Sequence, residues 1–276
     1  MIKGSAAADF GQYLLLPSEK EELTRNNPTL SKIIHPYVGS LELIRGEKRF
    51  CIYIPDAQLK EYAECPEIYS RIKKVQVERL KSKKEATREW AKRPHLFMED
   101  RYVNSSSFVV PRVSSENRDY IPIGYIVDGN TIISDSAFAV YDAASSVFGI
   151  ITSKLHMIWV KTIGGYLGTS IRYSATLCYN TFPFPKISAE KKAEIEAAAE
   201  EVLITREYYP EKTLAELYDP DKMPQDLREA HAKLDDIVES CYPGYPFASD
   251  EARLECLFKL YEKMTASTSH LTAAKK

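Results

Sequence analysis

The chain has 276 residues, of which 44% are apolar and 28% are charged, and its formal net charge is −2 at pH 7. This length allows one large domain or two ordinary domains with a sizeable core, and the balanced charge indicates no particular partner. No apolar run reaches transmembrane length and no signal peptide is present, so we expect a cytoplasmic protein without a membrane partner. The five scattered cysteines predict reduced thiols, without a disulfide framework or a zinc site.

The first elements in chain order are a short strand and a long basic helix. Residues 1–30 are expected to form a connecting segment, and the run FCIYI at 50–54 is typical of a strand. The stretch 66–92 has apolar residues at helical spacing and ends before a proline, which predicts one helix. Between residues 70 and 94 this stretch carries ten basic and three acidic residues.

The middle of the chain alternates strands with one longer apolar stretch. The runs 105–115 and 120–127 are predicted to be strands interrupted by prolines, and DGN at 128–130 predicts a turn before the strand TIIS. Residues 136–163 are more apolar and contain few helix breakers, which predicts a buried helix there.

The composition changes after Pro185, where helix formers dominate. Ser188 is a candidate N-cap for an alanine- and glutamate-rich helix, and two further helices are predicted after it. We therefore expect an α+β fold, with a mixed α/β domain at 31–185 and a helical domain at 186–276. The helical part has 13 basic and 19 acidic residues, whereas the preceding 185 residues have 24 and 20. Such asymmetry indicates a nucleic-acid surface on the first part, although a solvated helix face is the simpler alternative.

Direct inspection of the residues finds no complete catalytic site. The sequence contains no Walker A loop, no GxGxxG after a strand and no HExxH. Its five histidines are isolated from one another, and His156 lies in an apolar run, where a core histidine is the favoured interpretation. We predict neither a metal site nor a catalytic residue in this chain.

Four blocks in a fixed order give the most specific signal. They are HPYVGSLELIRGEKRFCIYI, VPRVSSENRDYIPIGYI, FGIITSKLHMIWVKTIGGYLGTSIRYSATLCYNTFPFP and LYDPDKMPQDLREAHAKLDDIVESCY. This series closely resembles the C-terminal part of MmeI-like restriction–modification enzymes and their solitary adenine-N6 DNA methyltransferase relatives. The resemblance covers about residues 33 to 265 and implies a target-recognition domain at 31–185, followed by a helical C-terminal domain.

The resemblance also implies what a longer parent protein supplies. Adenine methyltransferases of this kind carry an Asn-Pro-Pro-aromatic motif and a glycine-rich S-adenosylmethionine loop, and neither is present in this sequence. No cofactor is therefore expected in this chain, and S-adenosylmethionine is expected in the parent enzyme. We expect this chain alone neither to methylate nor to cleave DNA. We also expect it to begin just after the catalytic methyltransferase domain of the parent protein, and that domain is its expected protein partner.

The resemblance implies two groups of base-reading residues. The late group falls on Gly168, Ser170 and Arg172, where glycine and serine replace charged residues often found in the family. The early group falls on Asp135 and Ser136. Glu116 and Arg118 are further candidates. An arginine can pair with guanine O6 and N7, and a carboxylate can accept from cytosine N4, which would read bases in the major groove. In the alternative interpretation, Arg172 forms an internal ion pair with an acidic residue such as Asp135.

The remaining candidates would hold the DNA backbone without reading its sequence. They are Arg71, Lys73, Lys74, Lys81, Lys83, Lys84, Ser153 and Lys154. The aromatic run YNTFPFP is expected to anchor the recognition loop to the core. Two other functions stay open: a hydrolase with an unrecognised site, which a metal or convergent carboxylates would favour, and a protein-interaction module of a DNA-defence complex, which an exposed apolar patch would favour.

Overall fold

The chain combines short strands with helices, which confirms the predicted α+β class. A computed structural model describes residues 1–273, with side chains described through residue 266. The strands are β1 Ile2–Lys3, β2 Leu14–Leu15, β3 Ile34–Val38, β4 Phe50–Ile52, β5 Ser107–Pro111, β6 Val113–Ser115, β7 Gly124–Ile126, β8 Ile132–Ile133, β9 Ala137–Tyr141, β10 Gly165–Leu167 and β11 Ser170–Arg172. The α-helices are α1 Pro17–Asn26, α2 Ser40–Arg45, α3 Leu59–Tyr62, α4 Pro66–Leu80, α5 Glu85–Glu89, α6 Ser145–Thr152, α7 Lys154–Ile163, α8 Ala189–Glu207, α9 Leu214–Leu217, α10 Gln225–Glu239 and α11 Asp250–Ala273. None of the helices in the described range is long and apolar enough to cross a bilayer.

The described residues form two compact units that are interleaved along the chain. The strand-rich unit contains residues 2–109 and 125–141, and the helix-rich unit contains Met1, 110–124 and everything from 142 onward. The chain passes between the units within β5 and β7. The sequence predicted domains that are continuous along the chain, at 1–30, 31–185 and 186–276. The two units of the structure are defined by packing and are not continuous, so they do not test that division, which stays a prediction.

Two four-stranded sheets organise the strand-rich unit. One has the order β1-β9-β5-β7, and the other has the order β2-β4-β3-β8. β3 pairs antiparallel with β4, with Ile34 opposite Ile52, and parallel with β8, with Tyr37 opposite Ile132. These apolar pairs continue into a core that includes Ile68 of α4. Burial of this apolar surface is the main favourable contribution to the free energy of folding.

The basic stretch 66–92 is two helices rather than the single predicted helix. α4 ends at Leu80, the chain turns through residues 81–84, and α5 begins at Glu85. The turn is closed by Arg88, whose guanidinium donates to the carbonyl oxygens of Ser82 and Lys83 at 2.8 and 3.0 Å. The helical periodicity of the sequence did not indicate this break, since the residues of the turn are compatible with a helix.

Arg79 joins α4 to the chain that follows the turn. Its side chain is fully buried and donates to the carbonyl oxygens of five residues at 2.8 to 3.3 Å. These acceptors are Ala7, Ala8, Trp90, Arg93 and Leu96. A buried guanidinium is tolerated when its N–H groups are hydrogen-bonded, so this residue of the basic cluster holds the fold together.

The apolar stretch 136–163, which was predicted to contain a buried helix, is a strand followed by two largely buried helices. β9 occupies the first part, and α6 and α7 follow it. Gly149 allows α6 to lie close to its neighbours, because a Cβ at this position would lie 2.7 Å from Ile195 of α8 and 3.2 Å from Leu234 of α10. Ser188 caps α8, as predicted, by accepting from the Lys191 amide.

A buried carboxyl group links α10 to α7 in the helix-rich unit. Asp235 accepts a hydrogen bond from the Tyr120 hydroxyl at 2.8 Å and another from the Lys154 backbone amide at 2.7 Å. Burial nevertheless raises the pKa of Asp235 to about 7, because desolvation penalises the ionised form more than the two hydrogen bonds favour it. The native protein therefore retains this proton over a pH range in which the unfolded chain has lost it.

We expect Asp235→Asn to make stability less dependent on pH. The folded-state pKa of Asp235 is raised, so its contribution is fully present below the ordinary pKa of 3.8 and is lost progressively as the pH rises toward about 7. The neutral asparagine should therefore stabilise the protein more at pH 8 than at pH 5, as measured by urea unfolding. Asp236→Asn, at an exposed position on the same helix, is the control. An equal pH dependence for both variants would contradict this account.

Candidate nucleic-acid interface

A three-stranded antiparallel sheet in the helix-rich unit carries the late group of candidate base-reading residues, Gly168, Ser170 and Arg172. Its order is β10-β11-β6. Arg172 of β11 lies opposite Gly165 of β10 and Val113 of β6, while Ser170 lies opposite Leu167 and Ser115. The late group and the segment that leads to Glu116 are therefore adjacent in space, although more than 50 residues separate them along the chain.

The tip of this sheet is a tight hairpin that Gly168 makes possible. The pair Leu167–Ser170 closes a turn of two residues, Gly168 and Thr169. Gly168 has a φ of +61°, and glycine at the first central position is typical of a type II′ hairpin turn. A side chain here would meet no atom within 4 Å but would be strained by the backbone conformation. Gly168, a predicted base-reading position, is thus a turn residue without a hydrogen-bonding side chain.

The alternation of side chains along β11 divides its residues between two faces. Ile171 is 3% exposed and points into the core, whereas Arg172 lies on the opposite face and is exposed. Within the described part of its own unit, no acidic side chain lies within ion-pair distance of the Arg172 guanidinium. A Cβ at Gly165, across the sheet, would meet nothing within 4 Å. The guanidinium therefore has open space beside it.

The segment after β6 places Glu116 and Arg118 differently from the hairpin residues. Glu116 is half-buried and follows Ser115 directly. Arg118 is also half-buried and donates from Nη1 to the Ser114 hydroxyl at 3.1 Å, and desolvation lowers the pKa of its guanidinium. Its Nε is buried without a hydrogen-bond partner in the described structure. Arg118 is consequently less available than Arg172 for contact with a ligand.

A buried histidine and tyrosine support the strand that carries Arg172. Tyr173 follows it directly, and its hydroxyl lies 2.9 Å from His156 Nε2 on α7. Desolvation lowers the pKa of His156 to about 3, so the imidazole is neutral at physiological pH. The Phe182 ring packs edge-on against His156 at 4.6 Å. The structure thus places His156 in the core, as expected from its apolar surroundings.

The aromatic run after β11 packs onto the helices of the same unit. Phe182 is 1% exposed and contacts Phe184 with ring centroids 5.2 Å apart. Thr181 accepts from the Trp159 indole at 3.2 Å, and the Tyr242 hydroxyl donates to the carbonyl oxygen of Pro183 at 3.1 Å. These contacts fix the chain immediately after the hairpin, in agreement with the supporting role expected for this run.

Asp135 and Ser136 lie in the other unit, in the turn between β8 and β9. Asp135 is 3.8 Å from the Lys3 ammonium, and its backbone amide donates to the Ser5 carbonyl oxygen at 2.9 Å. The Ser136 hydroxyl accepts from the backbone amide of Ser40, at the start of α2. Both residues are at least partly accessible, and each also takes part in the local structure of its turn.

The candidate phosphate-binding residues of the basic stretch differ in how far their side chains are already bonded to other residues of the protein. Arg71 is committed to the fold, since its guanidinium donates to the Gln12 carbonyl oxygen at 2.6 Å and lies 3.8 Å from Glu19. Lys81 pairs with Glu78 at 2.7 Å. Lys73 is exposed and lies 5.6 Å from the centre of the Tyr69 ring. The exposed lysines of this stretch that form no ion pair within the described residues are Lys73, Lys74, Lys83 and Lys84.

The other two candidate phosphate-binding residues, Ser153 and Lys154, lie at the junction of α6 and α7. Ser153 is fully buried, donates to the Ile150 carbonyl oxygen at 2.7 Å and accepts from the His156 amide as the N-cap of α7. Lys154 is half-exposed and lies 3.3 Å from Asp250. Ser153 is thus a capping residue, and Lys154 must exchange an ion pair to bind a phosphate.

Inspection of the sequence missed two features of the hairpin. Leu167 is 62% exposed although it is a large apolar residue, and Gly165 provides the open space beside Arg172. The only available signal was the density of glycines in GGYLG, which does not reveal which residues face outward.

The described residues contain no group of three or more His, Cys, Asp or Glu side chains placed to hold a metal ion.

Comparison with known families assigns the chain to two consecutive domains. The model of the MmeI target recognition domain matches residues 1–186, and the model of the MmeI C-terminal domain matches residues 187–269. Together they cover nearly the whole sequence, and the resemblance inferred from the four blocks is therefore confirmed.

Two longer proteins show the same relationship at the level of sequence and structure. DNA methyltransferase A of Bacillus subtilis (strain 168) is 42% identical over 262 residues, which are 95% of this chain and 30% of that protein. A solved structure of the Type IIL restriction-modification enzyme MmeI in complex with DNA superposes with a TM-score of 0.92 at 37% identity. The match covers 96% of this chain and 35% of the enzyme. The chain thus spans about a third of the length of either relative.

Proposed function

We propose a role in DNA sequence recognition for this chain, which belongs to the MmeI family through its target recognition and C-terminal domains. The chain reads bases in the major groove of double-stranded DNA for a longer adenine-specific methyltransferase or restriction–modification enzyme. The observation that carries this proposal is the open sheet face at β11, where Arg172 projects from a tight hairpin without an ion-pair partner in its described unit. A guanidinium held in this way can form two parallel hydrogen bonds to the edge of a guanine.

The other base-reading candidates contribute according to their chemistry. Ser170 lies two residues from Arg172 on the same strand face, so its hydroxyl accompanies the guanidinium into the groove. Glu116 and Asp135 offer carboxylates that accept from cytosine N4, and Ser136 offers a hydroxyl. Arg118 contacts Ser114 and serves to position the segment near Glu116. Gly168 shapes the turn and makes no base contact through a side chain.

The exposed lysines around the turn between α4 and α5 hold the DNA backbone in this proposal. Lys73, Lys74, Lys83 and Lys84 are exposed, which lets their ammonium groups approach phosphates. Lys81 and Lys154 contribute after exchanging their acidic partners. Arg71 and Ser153 are bound to the protein itself, so their effect on DNA is indirect.

The methyl-transfer chemistry belongs to the longer protein in this proposal. The residues present do not fit S-adenosylmethionine, since the glycine-rich stretch Gly164–Gly168 joins α7 to a β-hairpin rather than a strand to a helix. The two relatives are about three times as long as this chain, which supports a separate catalytic methyltransferase domain as its partner. S-adenosylmethionine would bind to that domain.

Removal of the lysine cluster should weaken DNA binding equally for all sequences. We expect the Lys73→Ala, Lys74→Ala, Lys83→Ala and Lys84→Ala variant to bind duplex DNA less tightly and to show a flatter dependence of log Kd on log salt. Each lost phosphate contact reduces that slope by about 0.9 for B-DNA. The measurement is fluorescence anisotropy of labelled duplexes at several salt concentrations, where Kd for the unchanged chain is expected at about 10⁻⁴ to 10⁻⁶ M near physiological salt.

The matched control removes the same charge from the acidic helical part. It replaces four exposed lysines there with alanine: Lys192, Lys222, Lys233 and Lys259. This control should retain the salt dependence of the unchanged chain, because a change in net charge alone acts weakly across screened distances. If the two quadruple variants show the same Kd and the same salt dependence, the α4–α5 turn does not contact DNA.

One observation favours a protein contact on the same helix as a second candidate function. α4 exposes Tyr69, Val77 and Leu80, which are 51%, 47% and 56% exposed. These residues and Lys73 follow one another at spacings of three or four residues, so they share one face of the helix. If the lysine variant binds DNA normally but loses association with the methyltransferase domain in a pull-down experiment, this face is a protein interface.

A further inference from the structure

Leu167 stands beside Arg172 on the same face of the β10-β11-β6 sheet. It lies directly opposite Ser170, and Gly165, two residues earlier on β10, lies opposite Arg172. Residues at positions i and i+2 of a strand share a face, and paired residues of neighbouring strands do so as well. Leu167, Ser170 and Arg172 therefore project to the same side of the hairpin.

The exposure of Leu167 has no structural explanation within the described part of the chain. Its side chain is 62% exposed, while the buried face of the same hairpin is occupied by Ile171 at 3%. A large apolar side chain beside the exposed Arg172 guanidinium suits a surface that offers both apolar and hydrogen-bonding groups. The major-groove edge of DNA offers this combination, since thymine presents a methyl group and guanine presents two acceptors.

We propose that Leu167 reads the 5-methyl group of a thymine, and this inference rests on the function proposed above. The type II′ turn fixes the backbone that carries the side chain, because the Leu167–Ser170 pair closes the hairpin. A methyl group that moves from water into contact with leucine gains about 0.8 kcal/mol. This energy corresponds to about a fourfold change in affinity.

The distance between Leu167 and Arg172 predicts where that thymine lies. The two residues are diagonal neighbours on adjacent strands, and such neighbours are separated by roughly 7–8 Å. Successive bases rise by about 3.4 Å along a DNA strand. The thymine therefore lies within about two base pairs of the guanine that Arg172 contacts.

The test uses the 276-residue chain and a pool of random-sequence duplexes. Sequences enriched on the immobilised chain at low salt define its preferred site. Each thymine of that site is then replaced singly by deoxyuridine, which removes only the methyl group, and Kd is measured by anisotropy. We expect about a fourfold loss of affinity at one thymine. This loss of affinity on replacing thymine with deoxyuridine is the methyl effect. The Leu167→Ala variant should bind the thymine and deoxyuridine duplexes with equal Kd.

Two variants control for general effects on the hairpin. Tyr166→Ala removes a side chain of similar exposure, 53%, from the opposite face of the same strand, and it should retain the methyl effect. Leu167→Met keeps an apolar side chain and should also retain it. Circular dichroism checks that all three variants are folded, which we expect since both positions are exposed.

The outcomes separate this inference from the proposed function. The inference is overturned if no thymine shows a methyl effect while the site still depends on Arg172, or if the methyl effect persists in Leu167→Ala. Failure of the chain to enrich any sequence overturns the proposed function and the role of Leu167 together. A methyl effect that is lost only in Leu167→Ala supports both.

Discussion

Replacing Arg172 with alanine is expected to abolish discrimination at one guanine position and to leave the fold unchanged. A bidentate pair between arginine and guanine contributes about 1–3 kcal/mol of discrimination, which is about a 5- to 150-fold preference over the wrong base. The side chain is exposed and has no acidic partner in the described part of its unit, so its removal leaves no buried group unsatisfied. The measurement is selection of random-sequence duplexes by each variant, followed by sequencing of the bound fraction.

Arg172→Lys distinguishes base reading from simple attraction to DNA. Lysine keeps the positive charge but lacks the planar fork of donors, so affinity for all sequences should persist while the guanine preference falls. A variant that selects the same site with the same fidelity would show that Arg172 does not read a base. An insoluble or unfolded alanine variant would instead favour an internal role for the guanidinium.

Replacing Arg79 with methionine is expected to lower the free energy of unfolding by about 3 kcal/mol or more. Five backbone carbonyl oxygens lose their donor, and each buried acceptor that is left unsatisfied costs about 1–3 kcal/mol. The total stability of a domain is about 5–15 kcal/mol, so this single change removes a large part of it. The change is measured as the shift in the midpoint of urea unfolding.

Lys74→Met, on the same helix, is the matched control for the Arg79 variant. Its side chain is exposed, and surface substitutions of this kind change stability by about 0.5 kcal/mol or less. A midpoint that is equal for the two variants would show that the hydrogen bonds of Arg79 contribute little. Loss of DNA binding in a fully folded Arg79→Met variant would mean that this residue acts at the interface.

Arg79 and Lys83 show why a basic cluster in a sequence is ambiguous. Arg79 and Lys83 lie four residues apart in the same charged run, yet the first is fully buried and the second is exposed. Sequence composition reports the charge of both in the same way. Their environments differ because the chain turns after α4 and brings the carbonyl groups of residues 90–96 back onto Arg79. The burial of Arg79 also depends on the carbonyl groups of Ala7 and Ala8, which are distant in sequence.

The sequence by itself determined the class of the fold, the helical C-terminal part and the family. Ser188 and the alanine-rich run after it specify a capped helix by local interactions, and the order of four motifs specified the relationship to MmeI. Local propensities act over a few residues, so they can be recognised without knowledge of packing.

Only the tertiary structure decided which candidate residues are free to act. The pairing of β6 with β11 joins two distant segments into one sheet, and this register places Ile171 in the core and Arg172 and Leu167 on the open face. A shift of the register by one residue would exchange the two faces, and the strands, each of three residues, are too short for their own pattern to define it. Ser153 and Arg118 bond to residues only three and four positions away, but the burial of Ser153 and the partial burial of Arg118 come from packing that the local sequence does not encode.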